Sequence, residues 1–298
     1  MTVASRAYVD RPVGDLEMAA RAAMAAASTW GLDRPELVRA GMNAIFAAGS
    51  VVLRVSAPTA PAEVSLELAR FWHDRGVTVP RARRADVVRL DGLSVTAWER
   101  IDTSEQPVDW VRVGELVRRV HDTAPASLPA AVPLPSPAVL PWWNFDALLD
   151  RAGAGLDQGS REGLAAAIDR HRRWYEFDEV VVCHGDVHPG NVLMRADGPV
   201  LIDWDLLCLG PPGWDHGPML SFADRWGGRP GEYDEFASGY GRSLADDPTT
   251  MAIAELRLVA ATLMRVVASL DDPRARPEAE RRLRYWRGDP DAPAWTPQ

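Results

Sequence analysis

The sequence predicts an α+β protein of two lobes. A small N-terminal antiparallel-sheet lobe spans residues 1–98, a larger, mainly helical C-terminal lobe spans 99–298, and a hinge joins them at about 98–102. Three observations carry that expectation. Short apolar runs separated by Gly, Asn and Asp turn signals crowd into residues 37–98. Helical periodicity dominates from residue 109 onward. Within that helical half, residues 179–203 break the pattern with apolar strands around a polar loop.

The elements follow in order. Residues 13–30 are Ala-rich and read as a helix ending near Gly31. Leu37-Val-Arg-Ala-Gly41 and Val51-Val-Leu-Arg-Val55 read as two strands joined through Asn43 and Gly49-Ser50. Val64, Leu66, Leu68, Phe71 and Trp72 give an apolar helical face over 61–75, closed by Gly76. Residues 87–90 and 93–98 flank Asp91-Gly92 and spell a hairpin, because Asp-Gly accepts the positive φ angles of a tight turn. Asp109–Val120 reads as a helix, and the Pro-rich stretch from Pro125 to Pro141 as irregular. Helices follow at 144–151 and 160–176. Met251, Leu256, Val259, Leu263 and Val266-Val267 recur at helical spacing over 251–270 and read as core. The last dozen residues, with three Pro, are expected to trail over the surface.

Composition narrows the function. The chain has 298 residues, 47% of them hydrophobic and 25% charged, which is a globular balance. All 33 basic residues are Arg. A Walker-A loop, a Lys Schiff base and a pyridoxal enzyme all need Lys and are excluded. The net charge of −9 argues against nucleic acid or an anionic membrane as partner. Cys183 and Cys208 are too few for a disulfide framework, which suits a reducing cytoplasm. Acidic residues before the Ala-rich stretch and Arg21 within it argue against a signal peptide. No apolar run reaches membrane-spanning length.

The motif that carries chemistry is Cys183-His184-Gly185-Asp186-Val187-His188-Pro189-Gly190-Asn191. It reads H-x-D-x-x-x-x-N, the spacing at which protein kinases set a catalytic Asp and a metal-binding Asn. Leu201-Ile202-Asp203 then puts an Asp at the end of an apolar strand, where those enzymes hold a second metal ligand. Phosphoryl transfer needs one carboxylate at the attacking hydroxyl and oxygen ligands for Mg²⁺. Asp186 supplies the first; Asn191 and Asp203 supply the second. Asp, Asn, Gly and Pro also build ordinary turns. The succession strand, polar loop, strand, turn, strand, Asp is what a phosphoryl-transfer site requires. A zinc pair at His184 and His188 would need a helix, which Gly185, Pro189 and Gly190 oppose.

With Gly210-Pro211-Pro212-Gly213-Trp214-Asp215 following, the chain resembles the aminoglycoside phosphotransferase family, small-molecule kinases with a protein-kinase-like two-lobed fold. The resemblance is tight over 180–220, looser over 37–125 and absent beyond about 245. It implies Mg²⁺ and a phosphoryl donor, ATP or GTP. It maps the strand Lys of the fold onto Arg54, whose fork suits phosphate oxygens. The helix Glu that orients it maps onto Glu67, with Glu63 as rival. The phosphate-covering loop maps onto residues 41–44 with Asn43, a Gly-poor stretch that reads equally as a hairpin turn. The nucleobase is expected against the backbone near Glu99 and Ile101. His184 is expected to brace the catalytic loop, and Asp215 to tie that loop to the following helix or to cap it. Asp205 stands where protein kinases have the Gly of D-F-G.

The resemblance implies a hydroxylated small molecule as acceptor. From Asp203 to Asp247, the acids Asp203, Asp205, Asp215, Asp224, Glu232, Asp234, Glu235, Asp246 and Asp247 outnumber Arg225, Arg229 and Arg242. An acidic pocket suits a cationic antibiotic; the same residues also serve as metal ligands and soluble surface. His188, Trp214, Asp224 and Trp226 are the acceptor-side candidates, since indoles stack on sugars or bases. A nucleoside antibiotic, a metabolite such as a sugar or choline, and a kinase-like binding protein without chemistry stay open. A protein kinase is disfavoured, because residues 203–215 are too short for its activation segment. Oligomeric state leaves no mark in the sequence.

Overall fold

A computed structural model describes residues 6–296 of the chain. Helix α1 (Leu16–Trp30) starts at Asp15, whose carboxylate accepts the N–H groups of Glu17 and Met18, and stops at Gly31 with φ 62°. Its Ala face (Ala19, Ala22, Ala23, Ala26) is fully buried against the sheet beside it. Small side chains let helix and sheet approach closely.

That sheet has five antiparallel strands in the order β1-β2-β3-β5-β4: β1 (Glu36–Ala40), β2 (Ala44–Ala48), β3 (Val51–Ser56), β4 (Val88–Leu90) and β5 (Leu93–Glu99). Two strands were expected between 37 and 55; three are present. The missed strand β2, Ala-Ile-Phe-Ala-Ala, has little β-branching, and its alternate residues face the core. The expected hairpin closes at Asp91 and Gly92, both with positive φ (51° and 79°). Helix α2 (Glu63–Asp74) crosses between β3 and β4. It buries Leu68, Ala69 and Trp72 against residues that follow the sheet in the chain, including Trp110, Val113 and Leu201.

The remainder is mainly helical. Helices α3 (Trp110–His121), α4 (Phe145–Ala152) and α5 (Gln158–Arg170) precede four short strands. Residues 125–143 carry three single turns of 3₁₀ helix rather than a wholly irregular loop. Helix α5 ends at Arg170, short of the expected 176. Strand β6 (Val181–Cys183) pairs with β9 (Cys208–Gly210), and β7 (Val192–Arg195) pairs with β8 (Gly198–Leu201), both antiparallel. Helices α6 (Gly213–Leu220), α7 (Phe222–Arg225), α8 (Glu232–Tyr240), α9 (Pro248–Asp271) and α10 (Arg276–Trp286) complete the chain. Helix α9 runs through the second core, burying Ile253, Leu256, Val259, Leu263 and Val266 beside Trp143 and Trp214.

The C-terminal stretch, described as far as Thr296, runs largely exposed as expected but is anchored by one buried side chain. Trp295 is 2% exposed and packs edge-on against Trp226 and Tyr285. Arg282 donates to the carbonyls of Ala261 and Thr296 and lies over both Trp226 and Trp295. An indole buries more apolar area than several Pro residues expose, so the tail docks. No helix among the described residues is long and apolar enough to cross a membrane.

Candidate active site

The loop of residues 184–191 leaves β6 and is held from behind by Asp215 of α6. The fully buried Asp215 carboxylate accepts the His184 N–H at Oδ2 and the Gly185 N–H at Oδ1, both at 2.8 Å. His121 Nε2 lies 3.0 Å from the same Oδ2, and His121 Nδ1 lies 2.9 Å from the Tyr240 hydroxyl. An Nε2–H tautomer satisfies both contacts. Burial raises the Asp215 carboxyl, but His121, His184 and the Gly185 N–H outweigh it and keep the group below its ordinary range. Asp215 therefore ties the loop to α6 and is not the N-cap of that helix, whose cap position is Pro212. Gly185 has φ 96°, and a Cβ there would meet the Leu206 carbonyl oxygen at 2.0 Å. Only Gly fits that turn.

His184 braces the loop as expected of it. Its Nε2 donates to the Ile202 carbonyl (3.1 Å), its Nδ1 accepts the Asp186 N–H (3.3 Å), and its ring lies on Trp204. Both ring nitrogens are thus engaged, and residues 184–188 are not helical. The Ile202 N–H donates to the Asn191 carbonyl (3.0 Å), so loop and β8 end are pinned side by side.

Asp186, Asn191 and Asp203 come together at this junction. Asn191 is buried and donates its amide to Asp186 O (2.9 Å) and Oδ2 (3.1 Å), leaving its own Oδ1 as a ligand atom. His188 Nε2 stands 3.4 Å from Asp186 Oδ2. Arg257, from the middle of α9, donates to Asp186 Oδ1 at 3.0 Å. Burial pushes the Asp186 carboxyl up, but His188, Arg257 and His184 outweigh it and hold the group below the ordinary carboxylate range. Asp203 has φ 65°, a strained angle for a residue with a Cβ. Its carboxylate makes no hydrogen bond to any described residue. Desolvation by the surrounding lobes, with the charge of Asp205, pushes it up to about 6. A carboxylate set like this favours a cation beside it.

On the sheet side, Arg54 of β3 forms an ion pair with Asp205, their side chains 15% and 8% exposed. Asn43 donates to the other Asp205 oxygen at 2.7 Å. The expected pairing of Arg54 with the α2 Glu does not form. Glu67 points to solvent, and Glu63 pairs with Arg89 (2.7 Å). Glu67 lies on the exposed face of α2, and Arg54 pairs with Asp205 instead. Glu99 ends β5, and its carboxylate accepts the Arg81 N–H (3.0 Å); Ile101 follows in the connecting segment.

The acceptor-side candidates fare differently. His188 stands beside the Asp186 carboxylate with its side chain 37% exposed. Trp214 is fully buried, stacked on Trp142 and edge-on to Trp143, so its face is not open to a ligand. Trp226 is covered by Trp295 and Arg282, and Asp224 is an exposed residue of the short α7. Arg257 escaped sequence reasoning: it sits between Leu256 and Leu258 in a helix that reads as core. So did Tyr8, whose ring lies 5.9 Å from the Arg54 guanidinium.

Comparison with known proteins adds three kinds of likeness. The sequence profile described as the phosphotransferase enzyme family matches residues 45–256. Among solved structures, the chain is similar to a spectinomycin phosphotransferase, APH(9)-Ia, in an AMP-bound complex: 18% identity, 87% of this chain and 90% of that one, TM-score 0.62. It is similar to the amicoumacin kinase hAmiN in complex with AMP-PNP, Ca²⁺ and Ami, at 11% identity over 90% and 93% of the chains, TM-score 0.67. A choline/ethanolamine kinase family protein from Mesorhizobium loti is alike at 18% identity over 87% and 88%, TM-score 0.58. At these identities the structural likenesses speak for the fold.

Proposed function

The chain belongs to the phosphotransferase enzyme family, and from that premise we propose that it moves the γ-phosphoryl group of ATP or GTP to a hydroxyl of a small molecule, most readily an antibiotic that is thereby inactivated. The observation that carries this is the convergence of Asp186, Asn191 and Asp203 at one junction. The nucleotide would lie between the 1–98 and 99–298 lobes, with Arg54 toward the phosphates and the backbone near Glu99 and Ile101 toward the base. Asn191 Oδ1 and the unbonded Asp203 carboxylate fit Mg²⁺, which takes few protein ligands and keeps several waters. Bound there, Mg²⁺ would neutralise phosphate charge. Asp186, held ionised, would orient the acceptor hydroxyl and take its proton. Positioning and charge complementarity supply the catalysis.

A metabolite such as a sugar or choline is the second reading of the acceptor. It is favoured by the fate of the acidic side chains. Asp205 pairs with Arg54, Asp215 holds the loop, Glu232 and Glu235 meet Arg229, and Asp247 caps α9. That leaves fewer acids for a polycationic ligand than the sequence count implies.

The test is transfer of labelled γ-phosphate from ATP and from GTP, with Mg²⁺, across hydroxylated antibiotics, nucleosides and metabolites. Asp186→Asn is expected to keep nucleotide binding and to lose turnover by two orders of magnitude or more. Near-normal turnover in that variant would overturn the assignment. Tight nucleotide binding without transfer to any acceptor would favour a kinase-like binding protein instead.

A further inference from the structure

We propose that Arg257 is a positioning residue for Asp186, an inference that rests on the phosphotransferase reading. An ionised carboxylate has about four accepting directions. At Oδ2, Asn191 Nδ2 donates at 3.1 Å, and the His188 imidazole stands beside the same oxygen at 3.4 Å. At Oδ1, Arg257 Nη1 donates at 3.0 Å. With Oδ2 crowded by those two groups, the second accepting direction of Oδ1 is the one offered to an acceptor O–H. Arg257 thereby decides where the attacking hydroxyl is held.

The guanidinium is itself immobilised. Its Nη2 donates to the Gly185 carbonyl, which also accepts the Trp214 Nε1–H at 3.1 Å. Its plane lies over Trp214 (4.8 Å to the ring centroid) and Trp142 (5.2 Å), and the side chain is 12% exposed. Four contacts from three elements fix it, so little rotamer freedom is left to lose when substrate arrives. Arg257 touches both the carboxylate and the main chain one residue before it, a bidentate grip that a single ammonium cannot reproduce. Its residue number is 71 beyond that of Asp186, so the clamp is made by the fold and not by the local motif.

The purely structural alternative is that Arg257 fills a polar gap between indoles. The two are separated by a double-mutant cycle with Arg257→Gln, Arg257→Lys, Asp186→Asn and the corresponding double variants. The probe reaction is slow hydrolysis of Mg–ATP, with water as acceptor, alongside nucleotide affinity. A positioning role predicts at least a thirtyfold fall in kcat for Arg257→Gln, with nucleotide KM and Kd within twofold of wild type. Lys should recover less than a third of the lost rate. On the Asp186→Asn background, the Arg257 substitutions should have no further effect, because the group they act through is already disabled. Wild-type turnover in both Arg257 variants would overturn the proposal. So would an equal fold-loss with and without Asp186, or a parallel loss of nucleotide binding. A wild type that hydrolyses nothing and transfers nothing would overturn the phosphotransferase reading itself, and this proposal with it.

Discussion

Arg54 and Asp205 make an ion pair across the cleft where the family's fold ordinarily uses a Lys and a Glu within one lobe, and that exchange has a measurable cost. Asp205→Asn keeps the shape and removes the charge. The Arg54 side chain is then a cation only 15% exposed that has lost its paired carboxylate, with Asp203 the remaining acid nearby. Removing one partner of a buried pair costs about 3–5 kcal/mol, and the residual exposure of both groups argues for the low end, about 3 kcal/mol. For a chain of this size, that corresponds to a fall in Tm of roughly 5 °C. Saturating Mg–ATP should shrink the gap, because triphosphate oxygens give Arg54 a new partner and Asp205 no longer repels them. Thermal unfolding by circular dichroism, with and without nucleotide, reads both effects. Arg54→Met with Asp205→Asn should regain stability over Asp205→Asn alone while losing nucleotide affinity. An unchanged Tm in Asp205→Asn, or a double variant no more stable than the single, would refute the reasoning.

Two further outcomes follow from groups outside the reaction. His216 is buried with its Nδ1 3.2 Å from the Tyr233 hydroxyl and its Nε2 without a partner, and burial lowers its pKa to about 3. The folded chain therefore binds fewer protons here than the unfolded chain below the ordinary pKa of about 6.5, and stability present above that pH is lost as pH falls toward 3. Urea midpoints measured from pH 7 to 4.5 should decline less steeply in His216→Gln, by up to about 1.4 kcal/mol per pH unit; an unchanged slope would show that His216 contributes none of it. Trp295→Ala should cost about 3 kcal/mol in urea denaturation, the range for emptying a buried indole site. A loss below about 0.5 kcal/mol would mean that the tail is dispensable to the fold.

How legible each feature was depended on how far apart in sequence its parts lie. The catalytic loop is a local object: eight consecutive residues set the spacing of Asp186 and Asn191, so their type and order suffice. Asp203 is legible for a similar reason, since β7 and β8 form a tight hairpin that returns the chain to the loop. The Arg54 partner was misassigned because helix periodicity shows only that Glu67 faces away from its own core, and the true partner is 151 residues later. Strand β2 was missed because Ala44 to Ala48 has the composition of a helix; pairing on both sides with β1 and β3 overrides that propensity. Trp214 and Trp226 show the converse error. A large aromatic beside a motif suggests a stacking surface, but burying an indole releases more free energy than exposing it to a transient ligand, and both are packed.

The site is therefore built from two opposed constraints on one loop. Behind it, Asp215 collects the His184 and Gly185 N–H groups and fixes the backbone; in front, Arg257 collects the Gly185 carbonyl and the Asp186 carboxylate. Gly185 is the hinge that both grip, and its φ of 96° leaves no side chain to interfere. A carboxylate that must wait, ionised, for a hydroxyl to arrive gains from such a frame. The reorganisation that would otherwise accompany the reaction is completed when the chain folds. Asp203 has no such frame: its strained backbone and unbonded carboxylate are left for a cation to satisfy. On the proposed function, the difference between the two acids would follow from their tasks. Asp186 would take a proton from the acceptor, and Asp203 would be completed by a metal ion with its nucleotide.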